Sequence, residues 1–421
     1  MQPTPQGVRR NQIVPRAYRC VLSLFLFSAT MSLCQTTRPS ILCNAGEGGF
    51  DGESSTGIKV HVGAARNPRP PGSPTFATRA CEASLSWEHQ ELTVATNVSQ
   101  LDLDAFGADL GDGIPVAAFQ EKKTAADCCT DYVIYSLEKP PRLLRTITGG
   151  QFFSASDKDL DGRVEVWTRD AAAVNGFENF GLSEMEYPPA VALHIEHSRL
   201  LDVSAEFQPY FDEEITEIRT RLQAQDLQNF KRSDGRLAPT LSISPDHAHQ
   251  LRMVKIKVLE IVWAYLYSGR EHNAWQSLAD MWPPEDVDRI RVAITNARAH
   301  GLHSQADATS SGLAAGKKKH TMIFDAVRPT GPGNKLEVVP PQPILLQRPA
   351  SSAIPQSSDA EKRLDLIVDE AGKVRSTEPA GSVKWVDPEL INAALTWKFI
   401  PALKDGRPVA SRIRLDVSLR Q

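Results

Sequence analysis

Several things are scarce in this chain, and each scarcity excludes something. Six cysteines in 421 residues are too few for a disulfide scaffold. There is no surplus of one charge. Forty-seven Lys and Arg stand against 51 Asp and Glu, a net −4, so no basic excess exists to neutralise a phosphate backbone. General nucleic-acid affinity is thereby excluded. Long apolar runs are missing too. The one candidate, from Cys20 to about Leu33, is interrupted by Ser23, Ser28, Thr30 and Ser32. It falls short of the ~20 residues of a spanning helix. The motifs G-x-S-x-G and H-E-x-x-H, a P-loop and paired-cysteine metal sites are all lacking, so no catalytic residue can be singled out. The chain therefore reads as a non-enzyme. What remains is globular: 41% hydrophobic and 23% charged residues. The length suits two or three domains of ~100–200 residues. Proline (29) outnumbers glycine (26), which points to linkers.

The amino terminus, 1–34, reads as a signal peptide or anchor. Arg9, Arg10, Arg16 and Arg19 precede the apolar stretch, and no acidic residue does. Cleavage is expected near Ala29 or Cys34. Cys34 also raises lipidation, although Leu33 stands before it where a small residue is wanted. A periplasmic or exported protein follows, with membrane attachment only through this segment. Removing Cys20 and Cys34 leaves Cys43, Cys81, Cys128 and Cys129, which allow three pairings. Cys128 and Cys129 are adjacent, and a bridge between neighbours strains the peptide. The favoured pairing joins Cys81 to one of them.

The expected organisation is a multidomain α+β chain. Residues 35–75 are rich in Thr, Ser, Gly and Pro without hydrophobic period, a flexible lead-in. Residues 76–200 show short apolar or alternating runs between turn signals such as Gly111-Asp112-Gly113 and Pro140-Pro141. This is an all-β module, a sandwich or partial propeller. Asp102 and Asp104 alternate on one strand and are read as solvated.

The sharpest local signal is Asp157-Lys-Asp159-Leu-Asp161-Gly162-Arg-Val-Glu165. A hard cation such as calcium needs several oxygens on one tight loop. Alternation turns Asp157, Asp159 and Asp161 inward, Gly162 permits the sharp turn, the Arg163 carbonyl can contribute, and Glu165 adds a fourth side chain. A strand follows, and the twelfth position is Thr168 rather than the Glu of an EF-hand. The segment resembles the aspartate loops of FG-GAP and related propeller repeats. That resemblance implies structural calcium.

Residues 201–304 read as helices. Phe207, Phe211, Ile215, Ile218 and Leu222 make one apolar face of a first helix running from Ser204 to Asp234. Three more follow, ending at Gly269, Pro283 and Gly301. The stretch 264–278 resembles a single tetratricopeptide-like hairpin. A Pro/Ser-rich linker occupies 305–360.

The last segment, 361–421, reads as strand, strand, helix, strand, a small α+β unit. Its motifs are Val368-Asp369-x-x-Gly372, the helix ending at Ala393-Ala394, Trp397-x-Phe399-x-Pro401, and Asp405-Gly406-x-Pro408. In these it resembles the TonB carboxy-terminal domain family. The resemblance implies a cell-envelope binding protein of the periplasm, linked to TonB-dependent transmembrane transport. It also implies a protein partner, such as an outer-membrane receptor, captured by strand addition on an exposed edge. The final strand offers that edge, with Ser411, Ile413, Arg414, Leu415, Val417 and Leu419 as partner-binding residues. The alternative is a secreted or periplasmic hydrolase with catalysis in the β module, for which no carboxylate pair stands out.

Overall fold

The structure, a computed structural model, describes residues 41–66, 80–126, 128–237, 244–310, 321–328, 336–347, 362–380 and 388–417. The signal or anchor segment and Leu419 lie outside them. Among the described residues no helix is long and apolar enough to cross a membrane. The fold is mixed α+β.

The segment expected to be a flexible lead-in supplies core strands instead. β1 (Cys43–Asn44), β2 (Phe50–Glu53) and β3 (Lys59–Ala64) all lie in it. β3 alternates Val60 and Val62 inward, a short period-2 pattern easily missed among glycines and serines. β4 (Cys81–Trp87) and β5 (Gln90–Val98) complete an antiparallel sheet in the order β2-β3-β4-β5. A larger sheet starts with β1 and continues as a meander. Its strands are β6 (Gln100–Asp109), β7 (Pro115–Lys122), β8 (Thr130–Ser136), β9 (Leu143–Ser156), β10 (Glu165–Asp170), β11 (Ala190–Glu196) and β12 (Arg199–Asp202).

The two sheets pack face to face, which makes the β module a sandwich. Leu101, Leu103, Phe106, Ala117, Phe119, Val133 and Tyr135 of the larger sheet meet Ile58, Val60, Val62, Ala83 and Leu85 of the smaller one. The pairing Cys43–Cys81 joins β1 in one sheet to β4 in the other, and Cys128 bridges Cys129. The favoured pairing of Cys81 with Cys128 or Cys129 is thus corrected. Cys43 lies across the sandwich from Cys81, because the lead-in is a strand.

The alternate residues of the same strands face helices. Val116, Ala118, Tyr132, Ile134 and Ile147 belong to the core that holds the helical layer. A four-residue turn of helix, α1 (Ala171–Val174), follows β10. The long first helix expected over 204–234 is broken. α2 (Gln208–Thr220) and α3 (Ala224–Lys231) are separated by an extended Gln223, which lets Phe230 pack edge-on to Trp282 at 5.1 Å. α4 (Pro245–Tyr267) begins at a Ser244 cap with proline in its first turn, where the lost N–H matters least. α5 (Glu271–Met281) and α6 (Val287–His300) complete the layer. Buried Asp170 fastens helices to sheet. It accepts from Tyr267 Oη at 2.6 Å and from the backbone N–H groups of Ala173 and Leu302. A strand from the expected linker, β13 (Ala308–Thr309), closes the larger sheet beside β12 in parallel.

Two further linker pieces belong to the C-terminal unit. β14 (Phe324–Asp325) pairs in parallel with the last strand, and β15 (Gln342–Leu345) pairs with Lys398–Ile400. β16 (Lys362–Val368), β17 (Val374–Pro379), α7 (Pro388–Ala394), β18 (Lys398–Ile400), β19 (Ala402–Lys404), β20 (Arg407–Val409) and β21 (Ser411–Val417) follow. The sheet order is β14-β21-β16-β17 over a core of Leu364, Leu366, Leu390, Trp397 and Phe399.

This unit is docked on β6, and here the reading of Asp102 and Asp104 as solvated is overturned. Both carboxylates are buried. Asp104 receives Lys373 Nζ at 2.7 Å, Tyr132 Oη at 2.7 Å and the Ala155 N–H at 2.7 Å. Asp102 receives Lys398 Nζ, and Gln120 Nε2 at 2.8 Å. A strand that alternates Leu101 and Leu103 with aspartates normally has a wet face. Here the lysines of another unit cover it.

Removing one member of such a pair strands the other charge out of water, at a cost of about 3–5 kcal/mol. Lys373→Met is therefore expected to lose that much stability in urea unfolding. Adding Asp104→Leu should restore a part of it. A Lys373→Met variant as stable as the parent would contradict the pairing. A second outcome concerns Glu260 of α4, buried while accepting the N–H groups of Glu186 and Tyr187. Burial pushes its carboxyl up to about 7. The folded value lies above the unfolded one, so this group's contribution is complete below ~4.5 and is lost as pH rises through 7. Glu260→Gln keeps an acceptor and removes the charge. Stability profiles of the two proteins between pH 5 and 8 should diverge, the parent falling by up to about 3 kcal/mol relative to the variant.

Candidate functional site

The aspartate loop links β9 to β10, with Ser156 and Glu165 facing each other across the ladder. Asp157 organises it. Its Oδ1 accepts the Asp161 N–H at 3.1 Å and its Oδ2 accepts the Gly162 N–H at 2.8 Å. Asp161 Oδ1 accepts the Arg163 N–H at 2.9 Å. Gly162 has φ +88°, and a side chain there would press on Thr321 Oγ1. Glycine at this turn is thus required twice over. The result brings oxygens of Asp157, Asp159 and Asp161 within 4.8 Å of one another. Arg163 sends its guanidinium away, to Glu206 at 3.3 Å.

Glu165, at the first position of β10, lies near this trio without belonging to it. It is 2% exposed, and its Oε2 is buried without a hydrogen-bond partner. Burial, then the charges of Asp159, Asp161 and Asp157, push its carboxyl up to about 9. Asp157 is pushed up to about 7 by burial and by the neighbouring Glu370. Lys158, lying 3.5 Å over the Trp167 ring, falls to about 7 through burial and the nearby Arg375 and Arg169. Three aspartates with oxygens this close are donors of the kind a hard divalent cation such as calcium takes. Calcium would supply positive charge to the cluster and pin the loop between the two strands.

The final strand is placed differently from a free edge. β14 pairs with β21 at Ser411 and Arg412, so this chain covers the first two residues itself. Ser411 is buried. Beyond Arg412 no described strand pairs on that side. Ala410 and Arg412 direct their carbonyls to β14. By the alternation of a strand, the backbone groups of Arg414 and Asp416 point along the same side. Ile413, Leu415 and Val417 pack on the unit's core. Arg414 makes a two-pronged contact with Asp365, 2.7 and 2.8 Å. Beside this stretch lies a groove of about 370 Å³ lined by Ala326, Val327, Pro340, Pro343, Phe399 and Leu415, among others.

The residues carrying the family resemblance serve core and turns. Trp397 and Phe399 are buried, and Trp397 Nε1 donates to the Gln347 carbonyl at 2.7 Å. Pro401 is buried at the bend between β18 and β19. Asp405 and Gly406 make the β19–β20 turn, both at positive φ, and Pro408 faces Leu403 across it. Gly372 has φ +81° and sits so close to the Phe399 carbonyl that a Cβ would approach it to 1.8 Å. Comparison with family models, with curated proteins and with solved structures returns no match.

Two residues near the loop escape a reading by local spacing. Asp369 and Glu370 lie in the β16–β17 turn, over two hundred positions from the loop. Asp369 Oδ2 accepts the Asp157 N–H at 3.1 Å, and the turn closes on its Oδ1 through the Ala371 and Lys373 N–H groups. The only signal in the sequence is a pair of acidic residues at a hairpin that needs a single one.

Calcium that binds only the folded state stabilises it by about 2.7 kcal/mol at a hundredfold excess over Kd. Thermal melts of the parent with calcium and with chelator should therefore separate. Asp159→Ala should bring the two curves together. Coincident curves for the parent would exclude calcium in the loop.

Proposed function

We propose that this is a binding protein of the cell envelope, periplasmic or exported, that captures an extended segment of a partner protein along β21. The basic, apolar amino terminus supports the location, and the TonB-like spacing of 361–421 supports the mode of capture. An outer-membrane receptor is the partner class which that resemblance implies, and coupling to transmembrane transport is the process. The observation that carries the reading is the stretch of β21 beyond Arg412. Its outward backbone groups, a flanking groove and an existing two-residue strand in the same line make a ready place for further pairing. Main-chain hydrogen bonds there supply affinity, and the groove supplies choice of side chain. Charged Arg412, Arg414 and Asp416 on the outer face guard the edge against indiscriminate pairing.

The test uses the full chain in cells of its native host, with a photocrosslinking residue at Arg412. Arg414→Pro removes an outward N–H while leaving the β16–β21 hydrogen bonds, which use the alternate residues. Arg414→Ala removes only the contact with Asp365. Adducts with an envelope protein should survive Arg414→Ala and fall at least tenfold, about 1.4 kcal/mol or more, in Arg414→Pro. Adducts indifferent to Arg414→Pro would show that the edge does not recruit the partner.

A further inference from the structure

The cation loop does not stand alone. Three segments distant in the chain meet over it: the loop itself, the stretch beginning at Thr321, and the β16–β17 turn. The Thr321 N–H donates to the Leu160 carbonyl at 2.7 Å. From the turn, Glu370 enters. It is 8% exposed, its charge acts on the Asp157 carboxyl, and its Oε2 is buried without a partner. The same environment holds the orphaned Oε2 of Glu165. Two buried carboxylate oxygens on different units therefore lack a donor, and both belong to side chains whose charges act on the loop's aspartates, or are acted on by them.

We infer that a calcium ion in the aspartate loop also takes the Glu370 carboxylate, so that one ion fastens the C-terminal unit to the sandwich. The inference rests on the calcium reading of the loop and adds a ligand and a role to it. Coordination arithmetic favours it. Calcium takes ~6–8 oxygens, commonly including one two-oxygen carboxylate late in the loop. In this chain that late position is Thr168, whose hydroxyl is engaged with the Gln151 backbone. The loop offers four acidic side chains, and Glu370 supplies the missing acid from across the interface. Charge points the same way. Two carboxylates this near each other away from water need a proton or a cation between them, and a cation serves both at once. The nearest lysine of the turn, Lys373, is engaged by Asp104 and is not that cation.

The consequence is that calcium should tighten the C-terminal unit specifically. The experiment titrates metal-free full-length protein with calcium by calorimetry and follows amide hydrogen exchange across 362–380. For the parent, binding with slowed exchange at 369–376 is expected. Glu370→Gln preserves size and should weaken calcium at least tenfold and abolish the slowing at 369–376. Exchange in the sandwich strands should stay native, which verifies that the variant is folded. Glu370→Asp, shorter by one methylene, should show the same changes to a smaller degree. Exposed Glu378→Gln on β17 should match the parent. Calcium binding that is unaltered in both Glu370 variants would overturn the inference while leaving the loop site standing. No calcium binding to the parent would overturn both.

Discussion

Two carboxylates on β6 set the terms for the rest of the molecule. Asp102 and Asp104 sit in the dry side of a strand whose other side builds the sandwich core. Each such charge costs several kcal/mol to bury without a partner. Both partners are lysines from the C-terminal unit, Lys398 and Lys373, 296 and 269 positions away. Tyr132 and Gln120, on neighbouring strands, fix the orientation of the two carboxylates. The dependence runs both ways. Lys373 reaches Asp104 only because the turn before it is closed by Asp369, and that turn lies flat only because Gly372 lets Phe399 approach.

Much of the local structure is legible in the residues, and the failures have a common cause. The helices announce themselves through apolar spacing and through Gly269 and Gly301. The loop 157–165 announces its turn through Asp and Gly at fixed offsets. What cannot be read locally is pairing across distance. Leu42, Cys43, Val60 and Val62 look like fragments of a flexible leader until a second sheet is there to receive them. Asp102 and Asp104 look wet until two lysines arrive. The linker looks idle, yet Phe324 and Ile344 are held by strands that come later in sequence. The first long helix fails for a related reason. Its period is helical throughout, but burying Phe230 against Trp282 requires a break at Gln223.

The candidate sites follow the same division. Asp157, Asp159 and Asp161 are near neighbours in one loop, and spacing alone gathers them. Glu370 is not, and only the docking of two units brings it in. The last strand lies between these cases. Alternation identifies its buried face, whereas the covering of Ser411 and Arg412 by β14 depends on a piece of chain nearly ninety residues earlier. Loop and strand therefore answer to one event, the seating of the C-terminal unit, rather than to separate local codes.

That seating has a bearing on the order in which the molecule is made. Synthesis delivers β6 early and Lys373 and Lys398 late. For most of that interval the sandwich can close around Cys43 and Cys81, while one strand still displays two aspartates in place of a finished surface. Contacts so far apart along the chain form slowly, because loop closure must precede any gain. The nascent protein thus passes through a stage in which its sandwich is complete on one side and acidic on the other. The final fifth of the chain is what turns that acidic strand into an interior.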